Sequence, residues 1–224
     1  MLKFTKMHGC GNDYIYIDGA RERIPAEQKP ELVRRLSDRH FGIGGDGVIF
    51  INPSDQADFE MEMYNMDGTR AEMCGNGIRC VAKYVYDKGL TDQTQISVIS
   101  AGRIKYLDLH VENGRVSTVK VNMGEPILKA CEIPVLEEEK GEVIAEPIEI
   151  EGKAYRMTCV SMGNPHAVVF VEDVQDFPLE QVGPGLEKHP RFPKRVNAEF
   201  VKILDEETIE MRVWERGTGE TLGC

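Results

Sequence analysis

The sequence has no stretch of about eighteen apolar, uncharged residues, so no segment reads as a membrane-spanning helix. Its start, Met1-Leu2-Lys3-Phe4-Thr5-Lys6, runs straight into a polar turn without the apolar core of a secretory signal, which points to the cytoplasm. None of the six cysteines (Cys10, Cys74, Cys80, Cys131, Cys159, Cys224) forms a C-x-x-C pair. Zinc-ribbon and dithiol redox readings therefore lose their signature, and in a reducing compartment thiols are expected. There is no Walker loop and no G-x-G-x-x-G between a strand and a helix; Gly42-Ile-Gly-Gly-Asp-Gly47 is glycine-rich but lacks the lysine. Positive charge is scarce: 27 Lys+Arg against 38 Asp+Glu leave a net charge of −11, the wrong sign for a phosphate-backbone binder. A few local donors can still hold one small carboxylate. With 41% hydrophobic and 29% charged residues, collagen, coiled coil and wholesale disorder fall away.

What remains is mixed α+β patterning. Residues 13–18 (Asp-Tyr-Ile-Tyr-Ile-Asp) read as a strand. A helix is expected over Pro30–His40, with Leu32, Val33 and Leu36 at helical spacing and Pro30 in its first turn. Val48–Ile51 reads as a short strand. A second helix is expected over Ile78–Lys88, with Ile78, Val81, Ala82 and Val85 on one face and Gly89 as its cap. The period then drops to two around Asn113-Gly114, a strong hairpin signal. Pro126 to Pro147, acidic and proline-punctuated, reads as a connection between two halves, residues 1–120 and 121–224. Further strands are expected over Tyr155–Ser161, Ala167–Val171, Ala198–Leu204 and Thr208–Val213.

The most informative feature is an internal repeat. Gly11-Asn12-Asp13 followed by an apolar run echoes Gly163-Asn164-Pro165-His166 followed by another. Asp67-Gly68-Thr69 before Cys74 echoes Arg216-Gly217-Thr218 before Cys224. The interval from Asn12 to Cys74 is 62 residues and that from Asn164 to Cys224 is 60. A duplicated lobe would deliver one asparagine turn and one cysteine per copy. Cys74 precedes Gly75-Asn76-Gly77 and a helix, so its sulfur is expected near a helix N-terminus. There the dipole and unpaired N–H groups favour a thiolate and can also cradle a carboxylate. Cys74 reads equally as a small packed residue of a tight turn; Cys80, Cys131 and Cys159 suit that reading better. If the lobes are pseudo-symmetric, Cys74 and Cys224 can face each other across a cleft. One thiolate would then remove a proton from a carbon while the other thiol returns one from the far side, with Glu215 and His166 tuning them.

These residues resemble the diaminopimelate epimerase family. The segments that carry the resemblance are His8-Gly-Cys-Gly-Asn12-Asp13, Gly42-Ile-Gly-Gly-Asp46-Gly47, Tyr64-Asn65-Met-Asp67-Gly68 and Cys74-Gly75-Asn76-Gly77-Ile-Arg79-Cys80. After them come Val121-Asn-Met-Gly-Glu125-Pro126, Met162-Gly-Asn164-Pro165-His166, Arg195-Val-Asn197 and Glu215-Arg216-Gly-Thr-Gly-Glu220-Thr221. The resemblance implies two pseudo-symmetric lobes, each a mixed barrel-like sheet around a central helix. It implies a two-base epimerase without cofactor or metal that interconverts LL- and meso-diaminopimelate for lysine and peptidoglycan precursor synthesis. Cys74 and Cys224 match the two bases. Asn12, Asn65, Asn164, Asn197, Glu215 and Arg216 match groups that hold the substrate, mainly its distal amino-carboxylate, where amides and a guanidinium suit the task. Gly75 and Asn76 match the backbone cradle for the reacting carboxylate, and His166 and Glu215 the groups that adjust the cysteines. Asp13, Asp46 and Asp67 are expected to hold turns. The partner is a small molecule, with no nucleic acid or membrane; the oligomeric state is open, a homodimer included.

Two departures stand out. Gly47 occupies a position where some family members carry glutamine, so any side-chain contact from there is lost. The family also continues past its second cysteine into a second central helix, so the chain is expected to be incomplete after Cys224. Proline racemases share the two cysteines but typically carry histidine where this chain has Asn76; phenazine-type isomerases lack the cysteine pair. A non-catalytic binding module would not need both sulfurs.

Overall fold

Apolar segments of strand period build two separate sheets in this chain. The computed structural model describes residues 1–71, 73–136 and 141–223. Backbone contacts divide the chain into Met1–Gly124 and Glu125–Cys224. The architecture is α+β, two mixed half-barrel sheets with few helices.

The first unit runs β1 (Thr5–Gly9), β2 (Asn12–Asp18), α1 (Lys29–Ser37), β3 (Gly47–Asn52), β4 (Phe59–Asn65), α2 (Gly75–Asp87), β5 (Gln95–Ser100), β6 (Arg103–Glu112) and β7 (Arg115–Asn122). The strands lie in chain order across one seven-stranded sheet. β2 and β3 are parallel and joined through α1; β4 and β5 are parallel and joined through α2; the other neighbours are antiparallel. α2 touches β1, β2, β6 and β7, so the sheet curls until both of its edges reach one helix. Ile78, Val81, Ala82 and Val85 form the stripe that α2 buries against Tyr14, Tyr16, Ile49, Met63 and Leu107. α1 covers the opposite face, with Val33 against Ile15, Ile17, Val48 and Phe50. β2 and β3 are thus covered on both faces, which explains why they read as unbroken apolar runs rather than alternating ones. At the β6–β7 hairpin Asn113 and Gly114 both take positive φ (51° and 75°), the conformation expected of a two-residue Asn-Gly turn.

The second unit runs β8 (Glu146–Ile150), β9 (Lys153–Ser161), β10 (Pro165–Phe170), α3 (Leu179–Glu187), β11 (Asn197–Ile203), β12 (Ile209–Glu215) and β13 (Gly219–Thr221). The sheet order is β13-β12-β11-β10-β9-β8, with β10 and β11 parallel and joined through α3. The path β9–β10–α3–β11–β12 therefore repeats β1–β2–α1–β3–β4. α3 buries Leu179, Val182 and Leu186 against Met157, Val169, Ala198 and Phe200. The other face leaves Phe170, Ile203, Ile209 and Met211 exposed.

Three local expectations are corrected, and one helix had not been expected. α1 ends at Ser37 rather than His40, because the Asp38 carboxylate captures the N–H groups of His40 and Phe41 at 2.7 Å each and turns the chain. α2 starts at Gly75, three residues before the expected Ile78, because Cys74 caps it. α3 escapes a propensity reading, since Gly183-Pro184-Gly185 interrupts it. Those glycines answer to packing: a Cβ on Gly183 would lie 2.7 Å from the Trp214 ring, and one on Gly185 2.7 Å from Ile150. Finally, the segment read as a connection gives Ala130, Ile133, Val135 and Val143 to the second core; its Glu137-Glu138-Glu139 run lies outside the described residues.

Candidate active site

In the first unit the expected site residues gather at one end of the sheet. β2 and β3 run parallel and begin there, at Asn12 and Gly47; β4 runs back and ends there, at Asn65, paired with Gly47. Cys74 is the N-cap of α2, in extended backbone (φ −139°, ψ 108°). Its Sγ accepts the Gly77 N–H at 3.2 Å and donates to Asn12 Oδ1 at 3.1 Å. A sulfur between a donor and an acceptor has a partner in either protonation state. The first-turn N–H groups of α2 cannot bond within the helix, and they sit beside that sulfur. Asn76 is buried, with Oδ1 accepting Arg79 Nη2 at 2.6 Å, so its side chain is tied to the helix. Among the described residues, a Cβ on Gly75 would meet only Met123, at 3.8 Å.

Asn12 is buried and its Nδ2 donates to Asp46 Oδ2 at 2.7 Å. The same oxygen accepts the Asp13 N–H at 2.9 Å, and Asp46 Oδ1 accepts Arg39 Nη2 at 2.8 Å. Arg39 also reaches Asp13 Oδ1 at 2.7 Å, and Lys6 reaches Asp13 Oδ2 at 2.5 Å. Burial alone would raise the Asp13 carboxyl, and these hydrogen bonds from Arg39 and Lys6 reverse that and hold it below its ordinary range. Asn65 closes a turn through Nδ2 to Thr69 Oγ1 at 3.1 Å, in which Asp67 accepts the Thr69 N–H. At Gly47 a Cβ would lie 2.0 Å from the Tyr64 carbonyl oxygen, so glutamine cannot stand there on this backbone.

The second unit repeats this layout. Asn164 precedes β10, Asn197 opens β11 and Glu215 closes β12, again at one sheet end. Asn197 is buried and its Oδ1 accepts the Arg216 N–H at 2.8 Å, fixing the backbone that carries the guanidinium. Arg216 Nη1 donates to the Lys194 carbonyl at 3.2 Å. Glu215 Oε1 accepts from Thr221 Oγ1 at 2.7 Å. His166 lies between Glu199 Oε1, 2.6 Å from Nδ1, and Asn164 Oδ1, 2.8 Å from Nε2. Burial pushes the Glu199 carboxyl up, against the pull of His166, and Glu199 Oε2 is buried with no hydrogen-bond partner among the described residues. An amide oxygen only accepts, so in this pairing Nε2 is the donor to Asn164. Cys224 lies outside the described residues.

The family model described as diaminopimelate epimerase matches residues 4–129 and 158–224. The chain belongs to the diaminopimelate epimerase family. It is 58% identical over 223 residues to the diaminopimelate epimerase of Methanococcus maripaludis strain C5, spanning 100% of this chain and 79% of that one. It is 56% identical to the diaminopimelate epimerase of Acetivibrio thermocellus over the same shares. Among solved structures, a phenazine biosynthesis protein of the PhzF family from Bacillus anthracis aligns over 98% of this chain and 74% of its own, with a TM-score of 0.64 at 17% identity. A hydroxyproline epimerase from Agrobacterium vitis aligns over 99% of this chain and 71% of its own, with a TM-score of 0.63 at 14% identity. At such identities these two speak for the fold alone.

Membership in the diaminopimelate epimerase family makes the chain an isomerase acting on a small molecule. No helix among the described residues is long and apolar enough to cross a membrane. Several residues of the site escaped the sequence reading. Glu199 is the partner of His166, and strand period was the available signal: it lies two residues past Asn197, on the same sheet face. Asp46 does more than hold its turn, since it grips Asn12. Glu187 is buried in α3 and accepts from Trp214 Nε1 at 2.9 Å and from the Gly217 N–H at 3.0 Å, which no sequence pattern announced. Of the cysteines expected to be packed, Cys80 and Cys159 are buried, whereas Cys131 is exposed because it lies in a 3-10 turn whose buried residue is Ala130.

Proposed function

We propose that this chain interconverts LL- and meso-diaminopimelate by a cofactor-independent, two-base exchange at one α-carbon. Cys74 and Cys224 are the two bases. In one direction the thiolate of one takes the α-proton while the thiol of the other delivers a proton to the opposite face; no net proton is gained or lost and the stereocentre inverts. The observation that carries the reading is the setting of Cys74 in a chain of this family. Its sulfur has Asn12 Oδ1 to accept the thiol proton and the Gly77 N–H to stabilise the thiolate, so both halves of the cycle are supported in place. The N-terminus of α2, through Gly75 and Asn76, holds the reacting carboxylate and stabilises charge that develops as the proton leaves. Asn12, Asn65, Asn164, Asn197, Glu215 and Arg216 hold the distal amino-carboxylate, with Arg216 as the carboxylate clamp. His166 and Glu215 adjust the second cysteine. The activity belongs to lysine and peptidoglycan precursor synthesis in the cytoplasm.

The test is single replacement of each sulfur. Cys74→Ala and Cys224→Ala should each abolish epimerisation while the protein still binds diaminopimelate, and turnover in heavy water should place deuterium at the inverted carbon. Near-wild-type turnover in either variant overturns the scheme. Comparable turnover of proline and diaminopimelate would move the substrate assignment to the racemase branch.

A further inference from the structure

Asp46 sits outside the set of groups proposed to touch substrate, yet one of its carboxylate oxygens meets the amide of Asn12 directly. All of the contacts recorded for Asp46 side-chain oxygens come from N–H donors: Asn12 Nδ2 and the Asp13 N–H at Oδ2, Arg39 Nη2 at Oδ1. An oxygen so surrounded can face only the NH2 end of an asparagine amide. A planar amide has two unlike ends, so fixing one fixes the other. The far end of Asn12, Oδ1, then lies 3.1 Å from the Cys74 sulfur as an acceptor. We propose that Asp46 is a positioning residue for Cys74: by gripping Asn12 Nδ2, with Arg39 bracing its other oxygen, it turns Oδ1 to the sulfur and biases the resting enzyme toward the Cys74 thiol. The inference rests on the reading of Cys74 as one of the two bases, and it sets which form that base takes before substrate arrives.

The repeat sharpens the point. Asn164 occupies the position of Asn12 in the second unit, and there the grip is on the opposite end: His166 Nε2 engages Oδ1 at 2.8 Å. The two asparagines are pinned by unlike ends, which gives a pseudo-symmetric pair of lobes a chemical asymmetry. A pair of bases needs such an asymmetry if one is to start as acid and the other as base.

The test reads the Cys74 thiol in the free, full protein by its rate of alkylation with iodoacetamide against pH, quantified by peptide mapping. In Asp46→Asn a single oxygen is left for three donors, the Asn12 amide, the Asp13 N–H and Arg39, so the grip on Nδ2 weakens and Asn12 can turn to offer Nδ2 to the sulfur. The alkylation midpoint of Cys74 should fall by about one unit, giving about tenfold more thiolate below the midpoint. Loss of a negative charge would also lower the midpoint without any turning of Asn12, and the same substitution in an Asn12→Ala background separates the two. The relay predicts that the Asp46→Asn shift is much smaller there. A shift that persists undiminished in that background, or no shift in the single variant, overturns the proposal. Should Asp46→Asn not accumulate as folded protein, Arg39→Met decides by sign. Loosening the brace lowers the midpoint, whereas loss of a positive charge alone raises it, and a raised midpoint overturns the relay. The readout needs no turnover, so an active Cys74→Ala enzyme would overturn the two-base reading and leave this result standing on its own.

Discussion

Glu187 offers the sharpest test of how α3 holds the turn that carries Arg216. The carboxylate is 4% exposed and accepts two donors from that turn and its strand, Trp214 Nε1 at 2.9 Å and the Gly217 N–H at 3.0 Å. Arg195 reaches it at 3.4 Å with a half-exposed side chain, which adds little. Glu187→Ala removes the acceptor for both donors. Hydrogen bonds to a charged group contribute about 1.5–3 kcal/mol each, so the loss should be roughly 3–6 kcal/mol, a large share of the stability of a unit this size. Glu187→Gln keeps the shape and one acceptor oxygen and should cost about half as much. The protein has one tryptophan, and it is Trp214 itself, so its fluorescence during urea unfolding reports on the second unit. With a urea slope of about 2 kcal/mol/M, the midpoint should drop by roughly 1.5–3 M for alanine. The KM for diaminopimelate should rise in both variants as Arg216 loses its fixed backbone. A midpoint within about 0.3 M of wild type in Glu187→Ala would refute the claim that this carboxylate anchors the turn.

Two other outcomes follow from the first unit. Gly47→Ala places a Cβ 2.0 Å from the Tyr64 carbonyl oxygen and should greatly reduce soluble protein or melting temperature, whereas Gly141→Ala, whose Cβ would meet nothing within 4 Å among the described residues, should change neither; a Gly47→Ala protein as stable as wild type would show that β3 and β4 are not so closely apposed. Burial would raise the Glu62 carboxyl, but hydrogen bonds from Lys29, Asn52 and Tyr64 outweigh it and hold it below its ordinary value of 4.5. A depressed folded-state value contributes stability above the unfolded value that is lost as pH falls through the folded one, so thermal melts should show unit-one stability declining below about pH 4.5. Lys29→Met should remove part of that acid dependence, and an unchanged acid profile would count against the pair.

Much of the fold was legible in the chain because strand and helix periods are local. The Tyr14–Ile17 run, the Ile78–Val85 stripe and the Asn113-Gly114 turn each encode their element within a few residues. The repeat of Asn12 and Asn164 likewise announced two lobes, and the glycine-framed motifs carried the family. What the sequence could not express was close approach between distant segments. Gly183-Pro184-Gly185 breaks a helix by propensity, yet α3 forms because only glycine lets its backbone lie against Trp214 and Ile150. Gly47 looks like a loop residue and is instead a strand start seated against the Tyr64 carbonyl. The acidic segment before Pro147 hides Ile133 and Val143 that find their core only once β9 is in place. At the site, the sequence named Asn12 and Cys74 but not the orientation of the amide between them. That orientation depends on Asp46, 34 residues from Asn12, and on Arg39 behind it. Which end of an amide faces a sulfur is a question of three-dimensional hydrogen bonding, so tertiary structure alone decides it.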